Sequence, residues 1–272
     1  MAADATPAAA PVPPGAPPLP PRPSLEDELA RIAGAECLVV ASDFDGTLAP
    51  IVLHPDDAAA CPGALEALSE LASLPQTEVY LVSGRAFADL AARTGPPPGV
   101  TLVGSHGTEW GPGTKLDEAA HDRRTAVLHL LREAAAADPR FLVEEKPFGG
   151  SLHYRLVPPG AAEPVVAGVV RAVEVMPGIF LQPGKMVVEL TVMPTSKGSA
   201  LAQVLSATGA AGIFFGDDAT DEEGFAALRP GDVSVKVGPG ETRAEHRVAS
   251  PGDVVAALRF LATGRRVHAT TG

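Results

Sequence analysis

The stretch VVASDFDGTLAPI, Val39 to Ile51, opens as an apolar run and ends by setting Asp43 and Asp45 two residues apart. A short apolar run of this kind, among alternating helices, reads as a strand buried on both faces, the mark of a parallel sheet covered by helices. Carboxylates at the end of such a strand are costly unless something pairs with them. In open parallel sheets, ligands bind outside the carboxyl ends of the strands.

Outward from this stretch the pattern repeats. SLEDELARIA has Ser24 as an N-cap and helical spacing, and CLVVASD is an apolar strand. GALEALSELASL is an amphipathic helix, EVYLVSGR a strand, AFADLAAR a helix and VTLVGSHG a strand. The pattern then changes. A helix near Asp117 to Ala137 precedes two strands, FLVEEK and SLHYRLV, and a helix near Glu163 to Val175 precedes IFLQ and KMVVELTV. After Pro194 the alternation resumes with KGSALAQVLSA, AGIFFGDD, TDEEGFAAL and DVSVKV, closing on a helix near Asp253 to Leu261. The fold class is therefore α/β. A Rossmann-like parallel-sheet core over 24–113 and 194–272 is split by an α+β insertion over 114–193. Residues 1–23, mostly Ala and Pro, favour polyproline conformations and read as a disordered, passive tail.

The 272 residues are 46% hydrophobic and 4% aromatic, so Ala, Val and Leu must fill the core. The net charge of -12 argues against nucleic-acid or anionic-membrane binding. No apolar run is long enough to span a membrane, and a signal peptide's basic and apolar regions are missing. Cys37 and Cys61 lack metal-type spacing and read as two buried thiols in a reducing compartment. The expectation is a cytoplasmic monomer acting on a small molecule.

The polar residues gather at predicted strand ends. Asp43, Asp45, Gly46 and Thr47 follow the first strand, and Ser83, Gly84 and Arg85 the second. Ser105, His106 and Gly107 follow the third, and Asp217, Asp218 and Asp221 follow GIFF. So many carboxylates repel one another, and a hard divalent cation with oxygen ligands, Mg²⁺ above all, resolves this. An EF-hand reading fails because DFDGTLAPIVLH lacks the third acidic position and the terminal Glu, and no Walker A motif is present. Lys197 opens a helix, where the dipole disfavours a cation unless an anion joins it. Ser83 can donate to the same anion, so the set describes a phosphate site whose local cations offset the net negative charge. One aspartate can attack phosphorus covalently, and the other can act as acid and then base.

In the insertion, alternation puts Leu152, Tyr154 and Leu156 on one face of their strand, with Ser151, His153 and Arg155 on the other. Likewise Met186, Val188 and Leu190 oppose Lys185, Val187 and Glu189, while Glu144 and Lys146 fall together. The pattern alone leaves two readings of the polar face: a solvated exterior, or a lid closing on a hydroxyl-rich substrate.

DFDGTL, SGR, a lysine after the insertion and GDDATDEE resemble, in order, the four motifs of the haloacid-dehalogenase-like (HAD) phosphatases. The insertion resembles the large C2-type cap of that superfamily. GSHG, EEKPFGGSLHYR, GKMVVEL and GDDATDEEGF are similar to the trehalose-6-phosphate phosphatases, and the likeness runs from about Cys37 to Leu261. It implies a Mg²⁺-dependent phosphatase with Asp43 as nucleophile and Asp45 as acid/base. Asp43, the backbone carbonyl of Asp45, and Asp217 would hold the metal, supported by Asp218 and Asp221. Phosphate would lie against Phe44, Gly46, Thr47, Ser83, Gly84 and Lys197 as well as the two aspartates. The sugar would meet Arg85, His106, Glu144, Lys146, His153, Arg155, Lys185 and Glu189, which favours the lid reading. One position departs: where the family often reads E-[LI]-R-P, this chain has ELTVMP, with Thr191 in place of the arginine. Sucrose 6-phosphate and glycosyl-phosphoglycerates therefore stand as alternative substrates, with a sugar-phosphate mutase or sensor as a third reading.

Overall fold

A computed structural model describes residues 23–112, 115–193 and 196–271. The tail expected over 1–23 lies outside the described residues except for Pro23, and the expected domain boundaries touch the undescribed pairs 113–114 and 194–195.

Ser24 caps α1 (Leu25–Ala33) through a reciprocal box with Asp27, each contact 3.1 Å. The deciding stretch forms β1 (Leu38–Ser42), every residue of it buried. Leu38 and Val40 join one apolar cluster, Val39 and Ala41 another, so the strand is covered on both faces. Next come α2 (Ala64–Ala72), β2 (Thr77–Val82), α3 (Phe87–Thr94) and β3 (Val100–Val103). The insertion supplies α4 (Glu118–Ala135), β4 (Leu142–Lys146), β5 (Gly149–His153), α5 (Pro159–Glu174), β6 (Phe180–Gly184) and β7 (Val187–Thr191). The chain closes with α6 (Lys197–Thr208), β8 (Ala211–Gly216), α7 (Asp221–Ala227), β9 (Val233–Val237), β10 (His246–Val248) and α8 (Pro251–Thr271).

Two sheets result. One is parallel, ordered β10-β9-β8-β1-β2-β3. The chain runs outward from β1 on one side and from β8 on the other, so β1 and β8 flank the switch point where such sheets bind ligands. The second sheet is antiparallel, ordered β4-β5-β7-β6. Its inner face packs Leu152, Val188 and Leu190 against Val127 and Leu131 of α4 and Val169 and Val173 of α5.

Three local features differ from expectation. Strand β5 starts two residues earlier than SLHYRLV and stops at His153, so Tyr154 to Leu156 form a turn. The alternation expected of Tyr154, Arg155 and Leu156 therefore does not apply to them. The short β10 extends the parallel sheet, and α8 runs ten residues past Leu261, to Thr271. That extension carries Arg265, whose guanidinium donates to the carbonyls of Ala33, Glu36 and Gln76 at 3.2, 2.9 and 3.0 Å. It thereby ties α8 to the entries of β1 and β2.

Candidate active site

The loop leaving β1 is a tight turn. The amides of Thr47, Leu48 and Ala49 all donate back to the carbonyl of Phe44, at 3.3, 2.9 and 2.9 Å, and Gly46 donates to Ala49 at 2.7 Å. Gly46 has φ +84°, and a Cβ there would lie 2.2 Å from a carboxylate oxygen of Asp217. Only glycine meets both demands. Asp217 is thus pressed against the loop that carries Asp43.

Asp43, Asp217 and Asp221 form a buried cluster whose carboxylate oxygens lie within 4.8 Å of one another. Lys197 Nζ joins it, donating to Asp43 Oδ1 at 2.7 Å and Asp221 Oδ1 at 2.8 Å. The second oxygen of Asp221 accepts from the amides of Asp217 (2.8 Å) and Asp218 (3.0 Å), which fixes the turn after β8. Asp218 accepts from the amide and hydroxyl of Thr220. Burial pushes the Asp43 carboxyl well up; Lys197 opposes this, and Asp221 and Asp217 add to it. Burial likewise pushes Asp217 up to about 6, against the pull of Lys185. Burial opposes the charge of Lys197, but Asp221 and Asp43 outweigh it and hold the ammonium firmly protonated. Three buried carboxylates, with two of them raised by burial and mutual repulsion, form an all-oxygen donor set. That chemistry fits a hard divalent cation.

The second sheet presents its polar face to this cluster across a cleft of about 1190 Å³, solvent at its mouth included. Register sets Glu144 opposite Ser151 and Ser151 opposite Glu189. Lys146 Nζ donates to Glu189 Oε2 at 2.5 Å and to the carbonyl of Gly84, in the first unit, at 3.0 Å. His106 Nε2 lies 3.3 Å from Glu189 Oε1, and Ser151 Oγ donates to Glu189 Oε2 at 3.2 Å. His153 pairs with Glu144 at 2.9 Å. Arg155 Nη1 donates to the carbonyl of Val52 at 2.5 Å, and Lys185 Nζ reaches both the carboxylate and, at 3.0 Å, the carbonyl of Asp217. These contacts clasp the insertion onto the parallel-sheet unit around the cleft.

The family model described as Trehalose-phosphatase matches residues 41–252. The chain belongs to the trehalose-phosphatase family. Within the family it is similar to the trehalose-6-phosphate phosphatase of Escherichia coli (strain K12), 34% identical over 236 residues that cover 81% of this chain and 85% of that protein. It is also similar to the trehalose-phosphate phosphatase of Mycobacterium tuberculosis (strain H37Rv), 37% identical over 236 residues. That alignment covers 78% of this chain but 58% of the mycobacterial protein, so the chain spans little more than half of that relative. Among solved structures, the C-terminal domain of Candida albicans trehalose-6-phosphate phosphatase shares the fold. The TM-score is 0.76 at 21% identity, over 88% of this chain and 95% of that chain.

Seen against this family, the residues singled out by sequence are distributed unevenly. Asp43, Asp45, Ser83, Gly84, Lys197, Asp217 and Asp218 line the cleft, as do Arg85, His106, Glu144, Lys146, His153, Arg155, Lys185 and Glu189. Asp221, expected at the periphery of the metal site, sits inside the carboxylate cluster and is fully buried. Arg85, expected at the sugar, already engages Asp45 (2.6 and 2.7 Å), Asp89 (2.7 Å) and the carbonyl of Pro55 (2.9 Å). Phe44 lies under that guanidinium, which sits 5.8 Å from its ring centroid, so its side chain is away from the cleft. Thr47 is fully buried, and its hydroxyl has no hydrogen-bond partner among the described residues. Gly84 is required by His106, whose ring a Cβ there would meet at 2.5 Å. Thr191 is buried at the end of β7, opposite the start of β5, donating to the carbonyl of Phe148 at 3.3 Å and accepting from the Met193 amide at 3.2 Å. It does not line the main cleft.

Lys236 is a further polar residue at the site, beyond those the strand ends offer. It is 3% exposed at the end of β9 and donates to the carbonyls of Asp217 (2.5 Å) and Val237 (2.9 Å). A lysine inside the apolar run VSVKV was the available signal. The left-handed backbone of Ser105 and His106 (φ +47° and +53°) had no such signal. Strain of this kind collects at functional sites, and here it aims the imidazole at Glu189.

Proposed function

We propose that this chain hydrolyses trehalose 6-phosphate to trehalose and inorganic phosphate with Mg²⁺, residues 114–193 acting as the cap. The observation that carries the reading is the Asp43–Lys197–Asp221–Asp217 cluster, buried at the switch point of the sheet beneath a polar antiparallel lid.

Asp43 is the nucleophile. Its carboxylate oxygen attacks phosphorus, the phosphorus–oxygen bond to the sugar breaks, and the sugar leaves as Asp45 delivers a proton to its oxygen. Asp45 then takes a proton from water, which attacks the aspartyl-phosphate; the bond to Asp43 breaks and phosphate departs. Asp45 is now held in the fork of Arg85, 2.6 and 2.7 Å away, and this pairing gives way as the ester arrives. Lys197 and Ser83 hold the transferring phosphoryl group, and Gly46 allows the loop amides to approach it. Asp43, the main chain of Asp45, Asp217 and Asp221 would hold Mg²⁺, which supplies positive charge for the phosphoryl oxygens. Glu144, Lys146, His153 and Glu189 hydrogen-bond the sugar from above.

The test is phosphate release from trehalose 6-phosphate, sucrose 6-phosphate, glucose 6-phosphate and glucosyl-3-phosphoglycerate, with Mg²⁺ and with EDTA. A metal-dependent preference for trehalose 6-phosphate by about a hundredfold, or about 2.7 kcal/mol in the transition state, is expected. Preference for another ester would keep the chemistry and overturn the substrate. Silence on all four, with the protein folded, would overturn both.

A further inference from the structure

The cleft is not polar throughout. Ile51, Leu53, Leu142 and Leu156 line it while remaining 47, 64, 44 and 47% exposed. Single exposed leucines need no explanation, but four large aliphatic side chains around one opening form a patch that marks a binding surface. The fold brings them there by three routes. Register sets Leu142 opposite His153 and His153 opposite Val187, one row along from Glu144, Ser151 and Glu189. With a side-chain period of two, both rows face the cleft. Leu156 arrives because β5 stops at His153 and the chain turns. Arg155 pins that turn to the carbonyl of Val52, beside Ile51 and Leu53. The collar is thus shared between the two units and is assembled by their contact.

Exposure orders the cleft from floor to mouth: Asp43 and Lys197 are 4% exposed, Lys146 8%, and the collar 44% or more. A sugar ester with its phosphoryl group at Asp43 sets its first ring among the polar side chains and whatever is attached beyond that ring at the collar. We propose that Ile51, Leu53, Leu142 and Leu156 determine specificity by binding the apolar, C–H-bearing face of the group beyond the first sugar. They select hexose 6-phosphates carrying a bulky glycosidic substituent over the free hexose 6-phosphate. The inference rests on the phosphatase reading above and deepens it. Selection at the mouth is by apolar area rather than hydroxyl pattern, so an aromatic substituent replaces the second sugar ring.

The experiment compares kcat/KM for glucose 6-phosphate, trehalose 6-phosphate and phenyl α-D-glucoside 6-phosphate on the wild type and on Leu142→Ser/Leu156→Ser. Both leucines are surface positions, so the double variant is expected to fold, and ratios between substrates on one preparation cancel any loss of active protein. The wild type is expected to prefer the phenyl glucoside ester over glucose 6-phosphate at least about tenfold, and the variant to lose most of that ratio. A wild type without that preference, or a variant that keeps it, overturns the proposal. An equal loss on all substrates keeps the ratio and also overturns it, since the leucines then only seal the cap. If no ester is turned over, calorimetric affinities for glucose 6-phosphate and the phenyl glucoside ester carry the same test. Equal affinities overturn the collar, and a preference lost in the variant upholds it while the hydrolase reading falls.

Discussion

Glu189→Gln keeps the shape of the β7 side chain that meets Lys146 and His106 and removes its charge. The Glu189 carboxylate and the Lys146 ammonium are 12 and 10% exposed and 2.5 Å apart. The variant leaves that buried ammonium hydrogen-bonded to a neutral amide and the Gly84 carbonyl, with the Glu144 carboxylate still nearby as counter-charge. Breaking a buried pair from one side costs about 3–5 kcal/mol. At about 2–4 °C per kcal/mol for a chain of this size, the thermal midpoint should fall by roughly 6–20 °C. Lys146→Met should cost a similar amount by removing the carboxylate's ammonium partner, whereas Lys146→Met/Glu189→Gln removes both charges and should recover much of the loss. The coupling energy should be about 1.5–3 kcal/mol. Thermal unfolding of the four metal-free proteins, followed by circular dichroism near neutral pH, measures it. Additive losses, or a single-variant shift under about 2 °C, would refute the clasp. The pH dependence has a defined sign. Burial opposes the charge on Glu189, but Lys146 and His106 outweigh it and hold the carboxyl well below its ordinary value of 4.5. Its contribution is therefore complete above the unfolded value and is lost as pH falls through the lower folded one. The deficit of Glu189→Gln should persist at about pH 5 and shrink toward pH 3.

Asp43→Asn should lower turnover at least about a thousandfold with the fold intact by circular dichroism, and Asp45→Asn should let the aspartyl-phosphate accumulate in acid-quenched samples. Near-normal activity of the first, or an unchanged rate of the second, would exclude the assigned roles. Gly46→Ala places a methyl group 2.2 Å from Asp217 at φ +84°. Backbone strain of about 1–2 kcal/mol and displacement of Asp217 should weaken Mg²⁺ binding at least about tenfold by calorimetry, and wild-type affinity would contradict this. On the proposed ligand set, the raised carboxyls of Asp43 and Asp217, the latter at about 6, must lose their protons before they bind metal. Mg²⁺ affinity should therefore strengthen as pH rises through 6, weakening by up to about tenfold per unit below it, with proton release on binding. A flat calorimetric profile between about pH 5 and 8 would be the contrary result.

By itself the sequence determined the layout. Apolar runs with polar ends, helical spacing between them and a change of pattern near Asp117 specify two kinds of sheet, because period and burial are local properties of the chain. It also determined which polar residues end the first, second and eighth strands, since the change from an apolar run to polar residues is visible in the chain itself. Tertiary structure alone decided how those residues pair. The same Arg85 could meet a sugar or Asp45, and only the approach of Asp89 and Pro55 commits it to Asp45. Asp221 enters the carboxylate cluster because the turn after β8 folds its carboxylate back onto two amides, a contact with no periodic signature. Lys236 reaches Asp217 across a strand boundary set by sheet order, and Leu156 faces the cleft because β5 ends three residues before it. Sequence pattern reports which face of an element is apolar. Which polar group answers which across a cleft depends on distances between elements far apart in the chain, and those exist only once the sheets have packed.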